Sequence, residues 1–375
     1  MSKKIWIIIV IVLVGIVLGF LILNGSTKTA SSVVFGATFP LTGDVASYGI
    51  KAKNGIELAT EYINEQGGIL GKQLEIDFQD DRNDTKEAVA IFNKFATINK
   101  YPVVFGSAGS SVSLAICPIA NQQKVVQVSP LSSSSLLSEQ GGDFFFRTVP
   151  ADDQQVEILA DFVVGTGVRK IAIIYTNNSW GQPFADGFES KFTKVGGQIL
   201  LKEGVQESTS DFRTIITKLK TVNGLEAIVS PTYPKEGGRF VRQAGEMGLN
   251  VKLFGADNWN APEFRAIAGD AAEGVMYSTP IQQESALFSE FSQKYQTKFG
   301  EEPDVLAAYS YDALIAVCKA IQKANNLNPD DIRKNLIGIS FDGMSGKIKF
   351  KGNGDLDSKS YQITTIKNGQ LVPVK

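Results

Sequence analysis

Short apolar runs and segments of helical periodicity alternate along most of this chain. The run Val33–Phe39 leads into a segment in which Ile56, Ala59 and Ile63 recur at helical spacing. A second strand-like run, at residues 74–78, leads into another helical segment. Strands that alternate with helices of this length are typical of βαβ units, so the pattern predicts an α/β lobe with a parallel, doubly wound sheet.

Two further strands of this predicted lobe end abruptly in glycine and serine. Residues 103–105 run into a Gly-Ser-Ala-Gly-Ser-Ser segment, and residues 125–128 run into a serine-rich one. Ligands of α/β sheets bind at the carboxyl ends of parallel strands, where serine hydroxyls and helix N–H groups can donate to an anion. The pattern therefore indicates a carboxylate-binding shelf built from Ser110, Ser132 and Ser133. The alternative is that these serines are ordinary helix caps and turn residues.

The alternation restarts near residues 144–150 and repeats the same architecture. Further strand-like runs, separated by helical segments, occur at residues 170–175, 198–205, 227–230, 252–256 and 274–279. The chain has 375 residues, which exceeds one average domain. The sequence therefore predicts two Rossmann-like lobes.

The order of the predicted elements implies that the chain crosses between the lobes three times. Residues 147–149 and 278–280 are interpreted as the first two crossings, and the final strands at 347–350 and 361–366 are expected to return to the second lobe. The predicted boundaries are 33–148 plus 281–345 for the first lobe and 149–280 plus 346–375 for the second. A cleft between lobes joined in this way can open and close about a hinge.

Strand-terminal loops of the second lobe carry a different chemistry from the serine shelf. Trp180, Tyr233 and Asp257 each follow a predicted strand. An acid suits an ammonium group, and aromatic rings suit an apolar side chain or a cation. Opposite a carboxylate shelf, these residues predict a site for a zwitterion, of which a free α-amino acid is the simplest. The alternatives are that Asp257 caps a helix and that the aromatic residues are core or inter-lobe residues.

Composition excludes several classes of function. The chain has no histidine, which removes Ser-His-Asp and Cys-His catalysis and histidine-ligated metals, and its net charge of −2 does not suggest nucleic acid as a partner. No catalytic motif is found, so we expect neither enzymatic activity nor a cofactor or metal. The two cysteines, Cys117 and Cys318, lie in apolar helical segments and are either free or bridged to each other.

The N-terminus predicts that the lobes lie outside the cytoplasm. Lys3 and Lys4 form the end of a short cytoplasmic segment, residues 1–4, and precede the uncharged stretch 5–23, which is long enough to span a bilayer. Residues 24–32 form a polar stalk. The alternative is a cleaved signal peptide, but this apolar core is longer than usual and no good cleavage site follows it.

Several segments together resemble the branched-chain amino-acid (Leu/Ile/Val) binding proteins, type 1 periplasmic substrate-binding proteins of ABC transporters. The segments are FPLTGDVASYG (39–49), INEQGGILGKQLEIDFQDD (63–81), VVFGSAGSSVS (103–113), VSPLSSSSLL (128–137), FFFRTVP (144–150), YTNNSWGQ (175–182), YPKEGGRFVRQAGEMGL (233–249) and LFGADNW (253–259). The resemblance spans the chain from residue 33 to beyond residue 350, and it implies the two-lobed periplasmic-binding-protein fold.

The resemblance also implies a set of ligand contacts from both lobes: Tyr48, Ser110, Leu131, Ser132, Ser133, Trp180, Tyr233 and Asp257. Ser110 corresponds to the family's carboxylate-binding serine, and Asp257 to the acid that holds the ligand ammonium. Asp257 stands where branched-chain binders typically have glutamate, and Trp180 where many have tyrosine. These departures concern the ligand's side chain more than its amino-acid backbone.

The expected function is therefore an extracytoplasmic substrate-binding protein that delivers an amino acid to an ABC permease. One alternative is a ligand-sensing receptor ectodomain, which would need a partner membrane protein because only residues 1–4 lie on the cytoplasmic side. Another is that the ligand is an amide, a urea-like compound or an aromatic acid, since proteins of this fold also bind these.

Overall fold

The computed structural model describes residues 32–281, 285–357 and 361–374. The strands in chain order are β1 (Val33–Phe39), β2 (Leu74–Asp80), β3 (Val103–Gly106), β4 (Val126–Ser129), β5 (Phe145–Arg147), β6 (Lys170–Thr176), β7 (Gln198–Val205), β8 (Ala227–Ser230), β9 (Lys252–Gly255), β10 (Met276–Pro280), β11 (Ser340–Gly343), β12 (Gly346–Lys349), β13 (Tyr361–Lys367) and β14 (Gln370–Pro373).

Helices connect and cover these strands. The α-helices in chain order are α1 (Ala46–Glu65), α2 (Thr85–Asn93), α3 (Ser110–Gln123), α4 (Leu136–Gln140), α5 (Asp152–Gly165), α6 (Gly181–Lys194), α7 (Arg213–Lys220), α8 (Pro234–Glu246), α9 (Pro262–Ala268), α10 (Ala286–Phe299), α11 (Val305–Ala324) and α12 (Pro329–Ile337). A π-helical turn (Lys94–Asn99) extends α2, and two 3₁₀ turns (Asp257–Asn260 and Gly269–Ala272) flank α9.

Each lobe contains one main sheet, so the predicted two-lobed α/β fold is confirmed. The first sheet has the order β2-β1-β3-β4-β5, and all its neighbouring strands are parallel. The second has the order β14-β13-β10-β9-β8-β6-β7, parallel from β10 to β7 and antiparallel at β13 and β14. Strand order reverses beside β1 and β3 in the first lobe and beside β6 and β8 in the second. Those reversals create the crevices at which α/β sheets bind ligands.

The long helices α1 and α11 pack together on one face of the first sheet. The predicted helical positions Ile56, Ala59 and Ile63 are all buried in this core. The two helices approach closely at Gly55, where a Cβ atom would lie 2.2 Å from the carbonyl oxygen of Ala307. Within the described ranges α11 is also the one helix long and apolar enough to cross a bilayer, but most of it is buried in this lobe.

One expectation about the final strands is wrong. Residues 347–350 are predicted to cross to the second lobe, but among the described strands β12 pairs with β11 alone, and Ile348 and Phe350 are buried in the first-lobe core. The return therefore comes later, with β13, which pairs with β10. A short apolar run identifies a strand, but it does not identify the core that the strand joins.

Two other expectations concern the cysteines and the N-terminus. Cys117 and Cys318 are both buried and free, and they lie in separate hydrophobic clusters of the first lobe. The predicted cytoplasmic segment 1–4 and membrane segment 5–23 lie outside the described residues, as does the stalk apart from Ser32.

Candidate ligand-binding cleft

Six of the eight predicted ligand contacts line one cavity of about 40 Å³ between the lobes. They are Tyr48, Ser110, Leu131, Ser133, Trp180 and Tyr233, and the cavity is completed by Val45, Asn83, Ala108, Gly109 and Asn258. Tyr48 and Ser110 follow β1 and β3, while Trp180 and Tyr233 follow β6 and β8. The cavity therefore lies between the strand-order reversals of both sheets.

The serine shelf forms the first-lobe side of this cavity. Ser110 is the first residue of α3, and its hydroxyl accepts a hydrogen bond of 3.3 Å from the backbone N–H of Ser134. The hydroxyl of Ser133 donates to Oδ2 of Asp152 at 3.2 Å. A helix N-terminus with adjacent hydroxyl groups is a favourable environment for an anion.

Ser132 differs from its two neighbours in the shelf. Its hydroxyl is fully buried and donates to the carbonyl oxygens of Ser107, at 3.0 Å, and Ala108, at 3.1 Å. It also lies 2.8 Å from Oγ of Ser113. The Ser132 side chain therefore joins the loops that follow β3 and β4 and does not line the cavity.

Aromatic rings form the second-lobe side. Trp180 and Tyr233 are stacked, with ring centroids 5.3 Å apart and an angle of 7° between their planes. Asn178 fixes both residues: its Nδ2 donates to Oη of Tyr233 at 3.1 Å, and its Oδ1 accepts from the backbone N–H of Trp180 at 3.0 Å. The wall is therefore flat, apolar and held by a single amide side chain.

Asp257 lines a neighbouring cavity of about 50 Å³ that shares Tyr48 and Asn258 with the first. It begins the 3₁₀ turn after β9, although the N-cap position there is occupied by Ala256. Burial raises the pKa of the Asp257 carboxyl to about 6. Its Oδ1 has no hydrogen-bond partner among the described residues. The nearby side chain of Gln155 opposes the pKa shift, but neither of its amide atoms makes a hydrogen bond of good geometry there.

Asp152 is buried near Asp257, and it was not among the site residues predicted from the sequence. Burial raises the pKa of the Asp152 carboxyl well above its usual value, and the charge of Asp257 raises it further. Its Oδ1, like that of Asp257, has no partner in the part of the chain that the structure describes. Asp152 is the first residue of α5, so its sequence context is that of an ordinary helix start.

Two tyrosines from later segments complete the group. Tyr361 begins β13 and Tyr309 lies in α11. Burial raises the pKa of both phenols, and the charge of Asp257 contributes to both shifts. Two carboxyl groups and several hydroxyl groups therefore share one poorly hydrated region, where an added positive charge would be strongly stabilised.

Hydrogen bonds connect the lobes across the cleft. The hydroxyl of Ser134 donates to the carbonyl oxygen of Ser179 at 2.6 Å, and the backbone N–H of Ser179 donates to Oγ of Ser111 at 3.1 Å. At the cleft mouth, the carboxylate of Asp44 accepts from the hydroxyl of Ser208 at 2.8 Å and from Nζ of Lys235 at 2.9 Å. These contacts describe a closed arrangement of the lobes.

A larger groove lies elsewhere on the first lobe. It has a volume of about 850 Å³ and is bordered by α1, α10, α11 and the β11–β12 hairpin. None of the predicted ligand contacts lines it. Its size reflects an open surface between helices, and the chemistry expected of a zwitterion site is at the cleft instead.

Comparison with known proteins identifies the family. A family model described as periplasmic binding protein matches residues 32–370. The chain belongs to the periplasmic binding protein family. Its members are binding proteins rather than enzymes and act outside the cytoplasm, so the prediction of a non-enzymatic, extracytoplasmic solute-binding protein is confirmed.

Individual relatives of this periplasmic binding protein agree with the resemblance noted in its sequence. A Leu/Ile/Val-binding protein homolog of Brucella abortus is 29% identical over 358 residues, which cover 95% of each chain. A leucine-binding protein of Thermotoga maritima superposes with a TM-score of 0.85 at 28% identity, covering 92% of this chain and 98% of that one.

A third relative was solved with a ligand. This branched-chain amino acid transporter substrate-binding protein of Streptococcus pneumoniae, in complex with isoleucine, superposes with a TM-score of 0.82 at 28% identity. The superposition covers 92% of this chain and 100% of that one. The predicted resemblance to branched-chain amino-acid binding proteins of the type 1 periplasmic fold is therefore confirmed.

Proposed function

We propose that this protein captures a free amino acid between its lobes, with an aliphatic or branched side chain as the first expectation, and delivers it to an ABC permease. One observation carries the proposal: hydroxyl groups, aromatic rings and the buried carboxyl group of Asp257 line two adjoining cavities between the lobes, and the buried carboxyl of Asp152 bonds to Ser133 at their edge. A zwitterion with an apolar side chain has three parts that match these groups. Its carboxylate suits the hydroxyl groups, its ammonium suits the carboxyl groups, and its side chain suits the aromatic rings.

The ligand carboxylate binds on the first lobe in this proposal. Ser110 and Ser133 line the cavity with hydroxyl groups, of which that of Ser133 must turn away from Asp152 to donate to the ligand, and the first N–H groups of α3 lie at the same point. Leu131 and Ser132 contribute through the backbone of the loop, since the Ser132 hydroxyl has other partners. Charge-assisted hydrogen bonds of this kind are stronger than neutral ones.

The ligand ammonium lies between the buried acids. Asp257 is its main partner, and Asp152 supplies a second carboxyl oxygen that has no partner among the described residues. Asp152 also compensates for the short side chain of Asp257, which stands where the family typically has glutamate. An ammonium at this point stabilises the charged form of both acids, which burial otherwise disfavours.

The ligand side chain contacts Tyr48, Leu131 and the stacked rings of Trp180 and Tyr233. These groups are largely apolar, and the cavity that they line is small. An aliphatic side chain fits these properties better than a charged one. The relatives' names support the same class, since they describe binding of leucine, isoleucine and valine.

The partner in this proposal is an ABC permease, and residues 5–23 keep the binding protein at the membrane. Closure of the lobes over the ligand is favoured only insofar as the ligand binds the closed form more tightly. A receptor ectodomain would use the same cleft.

Calorimetric titration of the full chain in detergent micelles tests the proposal. The ligands are L-leucine, L-isoleucine, L-valine, benzoate and urea. We expect binding of at least one of the three amino acids and a loss of more than about 30-fold in affinity in Asp257→Ala, since removal of one partner of a buried charge pair costs about 2–5 kcal/mol. Asp211→Ala, which removes an exposed acid of the same lobe, is the control. Binding of benzoate or urea alone, or full affinity in Asp257→Ala, contradicts the proposal.

A further inference from the structure

Arg147 makes an unusual number of contacts for a residue that lines neither of the cleft cavities. It ends β5, and its side chain is completely buried. Its guanidinium donates to the carbonyl oxygens of Ser134, at 2.8 Å, and Ser132, at 3.4 Å. It also donates to the hydroxyl of Ser138. The planar, forked guanidinium is suited to contacting several acceptors at once.

The two carbonyl groups that Arg147 contacts flank Ser133. The carbonyl oxygen of Ser133 itself accepts a hydrogen bond of 3.0 Å from the backbone N–H of Asp152. Three consecutive carbonyl groups of this loop are thus engaged, two by the Arg147 guanidinium and one by the backbone of Asp152. Because each carbonyl group shares a peptide plane with the next N–H group, these contacts also fix the N–H groups of Ser133 and Ser134.

Asp355 orients the guanidinium. Its Oδ1 lies 2.8 Å from Nε and 2.7 Å from an Nη of Arg147, and its Oδ2 accepts from Asn353 at 2.9 Å. The neighbouring Gly354 carbonyl accepts from the backbone N–H of Arg147 at 3.1 Å. Gly354 has a φ of +81°, and a Cβ there would lie 1.9 Å from the Phe145 carbonyl oxygen, so this segment lies directly against β5.

A buried ion pair is a weak source of net stability, because desolvation of the two charges offsets their attraction. The Nη1 group of Arg147, which does not contact Asp355, donates to two carbonyl groups of one loop, and this favours a geometric role instead. We propose that Arg147, oriented by Asp355, is a positioning residue for the ligand-binding loop at residues 131–134. The proposal rests on the proposed function for its consequence, but the restraint on the loop does not depend on which solute binds.

Hydrogen exchange of the full chain, followed by mass spectrometry without added ligand, tests the restraint directly. Arg147→Lys keeps the charge beside Asp355, but a lysine ammonium cannot contact both loop carbonyls and the carboxylate together. Asp355→Asn keeps the shape and removes the charge. In both variants we expect the amides of residues 129–136 to exchange at least about tenfold faster, because local opening becomes easier. The control is Asp312→Asn, whose buried carboxylate binds the backbone at Met344 and Ser345 instead; it should leave residues 129–136 unchanged.

Two exchange results overturn the positioning role. One is unchanged exchange at residues 129–136 in Arg147→Lys and Asp355→Asn. The other is loss of protection in β3 and β4 to the same extent as in the loop, which means that the pair supports the whole lobe. Asp355→Glu, which retains the charge, provides a milder variant and should restore most of the loop protection.

Calorimetry with L-isoleucine separates this proposal from the proposed function. If the wild type binds L-isoleucine, Arg147→Lys should lose at least about tenfold in affinity while Asp312→Asn keeps it. If the wild type binds no amino acid but the exchange results are as expected, the proposed ligand is wrong and the restraint on the loop stands. If exchange changes but affinity does not, the loop restraint has no role in binding and the positioning proposal fails.

Discussion

The indole ring of Trp180 lies parallel to the phenol ring of Tyr233, with an angle of 7° between the planes and a centroid separation of 5.3 Å. The two residues follow separate strands, β6 and β8, which are neighbours in the second sheet. Because the rings support each other and Asn178 holds both, the wall cannot adapt easily to a bulkier ligand. In the proposed function, this rigid surface limits the size of the ligand side chain.

Replacement of Trp180 by phenylalanine should enlarge the cavity while keeping the stack. We expect the affinity for L-phenylalanine relative to that for L-valine to rise about tenfold, since a few added or removed carbon atoms in an apolar pocket are worth about 1–3 kcal/mol. Calorimetry with both amino acids measures this ratio. Phe192→Leu changes a buried ring of the same cluster that does not line the cavity; an equal change of the ratio in that variant would rule out the assignment.

Acidification should weaken amino-acid binding through Asp257. The pKa of this carboxyl is about 6 in the protein without ligand, so it is mostly charged at pH 7.5 and mostly neutral at pH 5. A neutral acid cannot pair with an ammonium group, and we expect affinity to fall about tenfold between these pH values. Titrations at both pH values measure the fall. Asp257→Asn should bind weakly at both, and a wild-type affinity that is equal at pH 5 and pH 7.5 would contradict the role of Asp257.

Asp257→Asn should also stabilise the protein in the absence of ligand. The pKa of Asp257 is higher in the folded state than the usual 3.8, so its contribution to stability is present below about pH 3.8 and is lost as the pH rises through 6. At pH 7.5 the substitution removes a cost on the order of 1–3 kcal/mol. Thermal unfolding at pH 5 and pH 7.5 measures it: the gain in Tm should be larger at pH 7.5. If Asp257→Asn is less stable than the wild type at pH 7.5, the Asp257 charge does not destabilise the folded protein and the prediction is wrong.

Asp44→Ala should make the closed form open more readily. Asp44 reaches across the cleft mouth to Ser208 and Lys235, and these contacts lower its pKa. Exposed pairs are worth about 0.2–1 kcal/mol, so ligand dissociation should be about two- to fivefold faster. Stopped-flow fluorescence of Trp180 would follow it. Asp357→Ala, which breaks a surface pair with Lys349 within the first lobe, is the control, and a similar acceleration there would exclude an inter-lobe effect.

Gly55→Val should destabilise the first lobe. The new side chain would meet the Ala307 carbonyl at the closest approach of α1 and α11, and overpacking of this kind costs about 1–3 kcal/mol or more. Gly165→Val is the matched control because no atom lies within 4 Å of a Cβ built there. Urea unfolding monitored by circular dichroism compares the two. Equal midpoints for both variants would show that the helices can separate at no cost.

Strand and helix periodicity predicted most of the fold, and the strand ends pointed to four residues that line the cavity between the lobes: Ser110, Ser133, Trp180 and Tyr233. The sequence could not reveal which residues are in contact when they are far apart along the chain. Asp152 has the sequence context of a helix start, and Asp44 has that of a loop residue. The residues that they face, Asp257 for Asp152 and Ser208 and Lys235 for Asp44, are far away along the chain. For the same reason the run containing Ile348 was assigned to the wrong lobe. The Ser132 side chain was expected in the site with its neighbours, but a strand-end loop turns its successive side chains in different directions.

The carboxyl oxygens of Asp152 and Asp257 that lack a partner among the described residues have a consequence for proton balance. The pKa of Asp257 is about 6, so near pH 6 part of the population carries a proton there, and burial raises the pKa of Asp152 as well. An ammonium group bound there as proposed would lower both pKa values and displace protons, so binding of a zwitterion would release protons into the medium. A solute without positive charge would release none. Released protons are taken up by the buffer, so the heat of binding then depends on the ionisation enthalpy of the buffer. This dependence therefore shows whether the bound solute carries a positive charge.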